Sequence, residues 1–308
     1  MNSSFLTDKV LMIEPVSFQL NKETAVNNYY QKEDKSIPLE QIQKNALKEF
    51  LFLKSTLENN EIEVIAIKDT SKPITPDALF PNNWISFHKN NKAILYPMFA
   101  KNRRRERRPD IFEILKKKEL NYTTIIDYTS FENQQIFLEG TGAMVLDRKN
   151  KIAYCSLSPR ATKSLFLKFC KENNYKPIAF ISYQTANNKR VPIYHTNVMM
   201  SIGNHYAMIC LDAIDNVSEK EMVKQSLFNS DKEIIYLTEN QIANFAGNTL
   251  QLKAKNTNII VISEQAKNSL TEKQISQIEK YGKIVSVAIP TIEKFGGGSV
   301  RCMLAELF

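Results

Sequence analysis

Five polar residues able to hydrogen bond or react recur along the chain at near-equal spacing. Asn83, Glu139, His195, Asn248 and Cys302 follow one another at intervals of 56, 56, 53 and 54 residues. Brought together, a thiol, an imidazole and a carboxylate supply a nucleophile, a general acid/base, and a group that orients the base and favours its charged form. Such a set performs substitution at an acyl-type or amidine-type carbon. Cys302 ends the run Phe295-Gly-Gly-Gly-Ser-Val-Arg-Cys302, whose glycines let the backbone come close to a ligand. An isolated cysteine near a strand is more often packing, so the register is what sets Cys302 apart from Cys155, Cys170 and Cys210. His195, in Tyr194-His-Thr-Asn197, is set apart in the same way from His205, which reads as exposed in a Gly-Asn-His turn. Glu139, in Phe-Leu-Glu-Gly-Thr-Gly142, is costly to bury unless paired, and His195 is its expected partner.

The elements that must position these residues repeat with them. After Glu139 the pattern gives a strand (AMVLD), a turn at Arg148-Lys149-Asn150, a strand (IAYCSL), a helix over 162–174 and a strand (PIAFISY). After His195 come VMMSI, a turn at Gly203-Asn204, YAMICLDAI, a helix opened near Ser218 with Glu221 completing a capping box, and EIIYLT. After Asn248 come TLQLKA, IIVISE, a helix opened by Ser269 or Thr271, and IVSVAIP. WISFHK, AILYPMF, a helix from Pro109 to Lys118 and TIIDYT form the copy at Asn83. The fifth copy is divided between the chain ends: VRCMLAELF gives one strand, and VLMIEP, a helix over 39–59 and EVIAIK give the rest. The expected fold is α/β, a pseudo-fivefold propeller of five ββαβ units forming a single catalytic domain over residues 1–308. Its slots then point at one axial place, and polar side chains gathered there suit an active site better than a scaffold.

Composition narrows the remaining classes. A chain of 308 residues with 43% hydrophobic and 24% charged residues has ample material for a large core. No apolar run approaches the roughly 20 residues that span a bilayer, and MNSSFLTDKV lacks the layout of a signal peptide. The expected address is the cytoplasm, with no membrane partner. The four cysteines lie far apart, without a CxxC pair or a nearby histidine at metal-ligand spacing. Free thiols and no metal or organic cofactor are therefore expected. The net charge of +8 comes from lysines spread along the chain, which read as solvated surface. The exception is Lys101-Asn-Arg-Arg-Arg-Glu-Arg-Arg108. It reads as the exposed start of a helix, as anion binding in a pocket, or as a nucleic-acid patch. The last is disfavoured by the interrupting Glu106 and the lack of interleaved aromatics.

FLEGTG, HTNVM and GGGSVRCM together resemble the guanidine-modifying superfamily of arginine deiminases, dimethylarginine hydrolases and amidinotransferases. FPNNWISFH, YPMFAKNRRRERRPDI, FAGNTLQL and GGGSVRCMLAE look closest to its bacterial amidinotransferase-like branch, which includes hydrolases proposed for citrulline use. The resemblance implies a fivefold ββαβ propeller in which Cys302 attacks the central carbon, His195 protonates the leaving nitrogen and then activates water, and Glu139 holds His195. Arginine-modifying members usually hold the guanidinium with carboxylates in Phe-x-Arg-Asp and His-x-Asp. Here those positions are Asn83 and Asn197. A buried guanidinium without an anionic partner forfeits several kcal/mol, so two losses together favour a neutral ureido group. The expected reaction is hydrolysis of citrulline to ornithine, carbon dioxide and ammonia. The alternatives are a deiminase, dimethylargininase or amidinotransferase on a guanidino substrate and, from another class, a basic nucleic-acid-binding protein. Asn83, Asn197 and Asn248 are the expected substrate contacts. Arg301 and Arg103 to Arg105, with Arg104 among them, are candidates for the substrate's α-carboxylate.

Overall fold

A computed structural model describes residues 5–186 and 188–308; residues 1–4 of the N-terminal stretch read above lie outside the described residues. β1 (Lys9–Glu14) and β2 (Glu63–Lys68) pair in parallel across α1 (Leu39–Asn59). β3 (Ile85–His88) is antiparallel to β4 (Lys92–Leu95), which runs parallel to β5 (Thr124–Asp127) across α2 (Asp110–Lys116). β6 (Met144–Asp147), β7 (Ile152–Ser156), α3 (Lys163–Asn173) and β8 (Lys176–Phe180) repeat this order. A hairpin of β9 (Tyr183–Ala186) and β10 (Lys189–Pro192) intervenes. The order then returns in β11 (Met200–Ile202), β12 (Tyr206–Ile209), α4 (Val217–Asn229) and β13 (Glu233–Tyr236). It returns again in β14 (Leu250–Lys253), β15 (Asn258–Ser263), α5 (Glu272–Glu279) and β16 (Lys283–Val287). Beyond α6 (Pro290–Gly296), β17 (Ala305–Leu307) pairs antiparallel with β1, so the two ends of the chain share one sheet. The fold is mixed α/β, built of small sheets.

Burial explains why the patterns were readable. The middle strands β7, β12 and β15 are buried almost throughout, which is why they read as continuous apolar runs. The outer strands β2 and β16 alternate, burying Ile65 and Ile67 or Val285 and Val287. In α1, Ile42, Ala46, Phe50, Leu53 and Leu57 recur at helical spacing and turn inward. They join a core cluster with Val10, Val261, Met303 and Cys302, which ties the first and last parts of the chain together.

Several expectations are corrected. The cap of α4 is Asn216, whose side chain accepts from the Glu219 N–H, so Ser218 lies inside the helix. α5 is capped by Thr271 in a capping box with Gln274, and Ser269 ends the separate helix Glu264–Ser269. PIAFISY is broken after Phe180, where β8 stops and the hairpin begins. VRCMLAELF is not all strand: Val300–Met303 is a 3-10 turn, with the Cys302 N–H bonded to the Ser299 carbonyl at 2.9 Å. A single turn likewise carries three other slot residues. Asn83 ends Pro81–Asn83, Glu139 opens Gly140–Ala143, and His195 opens Thr196–Met199. Such turns swing a side chain away from the strand that follows. Among the described residues no helix is long and apolar enough to cross a membrane.

Candidate active site

Cys302 lies 4% exposed in its 3-10 turn, and two amides hold its sulfur. Asn248 Nδ2 donates to Sγ at 3.2 Å and Asn197 Nδ2 at 3.4 Å. Asn248 is itself fixed, because its Oδ1 accepts from the Arg301 N–H at 3.0 Å and its Nδ2 also reaches the Asn197 carbonyl at 3.0 Å. Cys155, Cys170 and Cys210 are free and buried, and burial pushes each thiol up, Cys170 to about 12 and Cys210 to about 11.

His195 Nε2 meets Glu139 Oε2 at 2.7 Å, which leaves Nδ1 as the free ring nitrogen. Both side chains are buried, and the other Glu139 oxygen accepts from the Phe99 N–H at 2.9 Å. Burial alone would raise the Glu139 carboxyl. The Arg160 guanidinium 3.5 Å away and the His195 hydrogen bond overcome it and hold the group at about 2. The imidazole goes the opposite way from the sequence expectation. Burial outweighs Glu139, with Arg160 and Arg103 adding to it, and lowers His195 to about 4. His195 is therefore neutral at pH 7, ready to take a proton before it gives one. Gly142 makes room for this arrangement: a Cβ there would sit 2.8 Å from His195 Nδ1 and would also strike the Asn83 amide.

Arg160 and Asp77 are the members that sequence reasoning missed. Arg160 stacks over Tyr194 at 4.7 Å and donates to the Thr24 carbonyl and Asn27 Oδ1, each at 2.8 Å. Its signal was faint: a lone cation in the uncharged run Ser-Leu-Ser-Pro-Arg160. Asp77 accepts from Asn21 Nδ2 at 2.8 Å and lies 3.7 Å from Arg103, while its Oδ1 is buried without a partner. Burial raises its carboxyl against the pull of Arg103. Arg103 sits buried between Glu106 and Asn83, donating to Asn83 Oδ1 at 2.6 Å. Asn83, Asp77, Arg103, Arg160, His195 and Cys302 border one cavity of about 20 Å³, room for one or two waters. A strap closes it. Asn28 and Gln31 donate to the Gly296 carbonyl at 3.4 and 3.1 Å, and the Tyr194 hydroxyl to that of Gly297 at 2.7 Å.

The remaining candidates are placed elsewhere. Asn197 donates to Sγ and borders a second cavity, and its Oδ1 is buried without a partner. Asn248 grips sulfur and backbone and does not line the cavity over Cys302. Arg301 is taken by Glu306 at 2.9 Å and by the Leu304 carbonyl, and it borders the second cavity. Arg104 turns to the Met98 carbonyl at 3.0 Å and to Glu132 at 3.4 Å, away from the site. Arg105 is exposed. The cationic run is thus mostly spent on internal pairing, with Arg103 alone reaching the cavity.

No curated protein matches the chain. Solved structures do. The N-terminal domain of ArgZ covalently bound to a reaction intermediate aligns with a TM-score of 0.70 at 15% identity, covering 97% of each chain. ArgZ is described as an arginine dihydrolase from the ornithine-ammonia cycle in cyanobacteria, and the present chain spans 40% of its full length. Unliganded AgrE aligns at 0.73 and 14% identity, over 97% of this chain and 39% of that one. A dimethylarginine dimethylaminohydrolase adduct aligns at 0.64 and 11% identity, over 98% and 100%. At such identities the likeness is one of fold. The family model for N,N dimethylarginine dimethylhydrolase, eukaryotic, matches residues 14–308. With a thiol, a carboxylate-held imidazole and buried amides meeting at one cavity, the chain belongs to that family, within the guanidino-modifying amidinotransferase superfamily.

Proposed function

We propose that this protein is a cysteine hydrolase acting on the ureido carbon of citrulline, giving ornithine, carbon dioxide and ammonia. The observation that carries the substrate choice is the cavity beside Cys302. It is bordered by Arg103 and Arg160, and Arg103 donates to the Asn83 amide oxygen at 2.6 Å. A cationic substrate head would meet two buried cations there, whereas a neutral ureido group meets donors suited to its carbonyl oxygen. On binding, His195 Nδ1 takes the thiol proton and the thiolate, held by Asn248 and Asn197, attacks the ureido carbon. His195 returns the proton to the departing nitrogen, leaving a thiocarbamate on Cys302. A water deprotonated by His195 then cleaves the C–S bond. The carbamic acid so released loses carbon dioxide, and the two nitrogens leave as ammonia and the ornithine side-chain amine. Glu139 stays ionised and supports the transient imidazolium. The proposal includes closure of the five three-stranded sheets into one propeller domain over residues 1–308, with a cytoplasmic address.

One observation favours a second reading, a hydrolase or transferase of a guanidino group. Asp77 borders the same cavity with an unpartnered oxygen and offers an anion to a cationic head. Incubation with citrulline and, separately, with arginine decides between them when ornithine, citrulline and ammonia are followed. The ureido reading expects ornithine and ammonia from citrulline, with arginine turned over poorly. Efficient turnover of arginine with citrulline inert would replace it by the second reading.

A further inference from the structure

β3, β6 and β17 lead away from Asn83, Glu139 and Cys302, and their far ends meet again around a second opening. His88, the turn after Asp147, and Phe308 border a cavity of about 250 Å³ there. Its charged side chains are all positive: Lys89, Lys92, Arg148 and Lys151. Three of these cations lie over aromatic rings. Lys89 Nζ is 4.8 Å from the Phe5 centroid, Lys151 Nζ 4.8 Å from that of Tyr175, and the Arg148 guanidinium 4.4 Å from that of Phe308. Like charges gathered in a recess repel one another and raise the local concentration of anions. Burial first, then Arg148, Lys92 and Lys89, lower the Lys151 ammonium.

This cavity is wired to the nucleophile. Arg148 Nε lies 3.4 Å from Glu306 Oε1, and Arg301 holds the other oxygen of that carboxylate at 2.9 Å. The Arg301 N–H fixes Asn248, which grips Cys302 Sγ. We propose that the basic cavity binds a small polyanion, a diphosphate or a di- or tricarboxylate, and tunes Cys302 through Arg148 and Glu306. An anion that takes the Arg148 donors withdraws them from Glu306. The carboxylate charge then falls wholly on Arg301, the Cys302 thiolate loses part of a neighbouring positive field, and the sulfur reacts more slowly.

The test is calorimetric titration of the full chain at near-physiological salt with inorganic pyrophosphate and, in a separate arm, citrate. The two arms distinguish phosphate from carboxylate as the source of charge. Saturable binding is expected in at least one arm, weakened about tenfold or more in a Lys89→Ala/Lys151→Ala variant, both positions being exposed. Iodoacetamide labelling of the Cys302 peptide gives a readout that needs no substrate, and so stands apart from the reading of the reaction. At saturation it should slow about threefold or more in the wild type and not in the variant. No saturation in either arm, equal affinity in the variant, or unchanged labelling at full occupancy would each overturn the proposal.

Discussion

The sulfur of Cys302 is held by amides, not by the imidazole, and this changes what single substitutions should do. Cys302→Ala removes the only atom that forms the covalent bond, so turnover should fall to about 10⁻⁴ of wild type or less while the fold persists. Measured activity in the folded variant above that level contradicts a thiol mechanism. Asn197→Asp replaces a donor to sulfur by an anion. It should slow turnover about tenfold or more at pH 7 by placing an anion against the attacking sulfur. Unchanged turnover would remove Asn197 from the sulfur's support. Glu139→Gln should cost less activity than His195→Ala, since one orients and the other transfers protons. It also leaves the buried Arg160 without its carboxylate, a loss of about 3 kcal/mol in denaturant unfolding. At this scale the pairing of His195 with Glu139, and the placing of His195 and Cys302 at one cavity, were legible because all three residues fall in the periodic slots. Asp77 and Arg160 were not, because they reach the cavity from connections outside the register.

Between β16 and the nucleophile, α6 and its glycine run form the element that positions Cys302, and it carries its own pH dependence. Glu293, inside α6, accepts from the Ser299 hydroxyl at 2.6 Å. Burial, opposed by its hydrogen bonds to Ser263 and Ser299, raises the carboxyl from 4.5 to about 7. The folded value lies above the unfolded one. The stability Glu293 contributes is therefore fully present below pH 4.5 and lost as pH rises through 7. That interval corresponds to about 3 kcal/mol at most. Glu293→Gln should flatten the wild type's decline between pH 5 and pH 8 in urea unfolding, measured as the difference between the two proteins at each pH. Parallel curves would mean that Glu293 ionises normally. The elements themselves were readable where burial is two-sided, as in β7 and β15, or strictly helical, as in α1. The hairpin β9–β10 was missed because its residues are mostly exposed or half-buried polar ones, without an apolar stripe. α6 was hidden because it is only seven residues long and opens on Pro290, the last residue of the run IVSVAIP.

Across the whole molecule, the recurring order of two strands, a helix and a strand, and the sharing of one sheet by both chain ends, followed from the repeat alone. What the repeat could not convey is the segment from Asn21 to Asp34 that packs beside the site, joined to α6 and its glycine run through Asn28, Gln31 and the Lys294–Asp34 ion pair at 2.6 Å. The account's central claim is that Cys302 takes the ureido carbon of citrulline onto its sulfur, and acid quenching tests it most directly. Wild-type enzyme mixed with citrulline carrying ¹³C at the ureido carbon and quenched during turnover should yield a Cys302 peptide bearing one ¹³C-labelled carbon. Ornithine and labelled carbon dioxide should appear in equal amounts. An unlabelled Cys302 peptide beside steady ornithine formation, or a label on Cys302 from guanidino-¹³C arginine but none from citrulline, would contradict it.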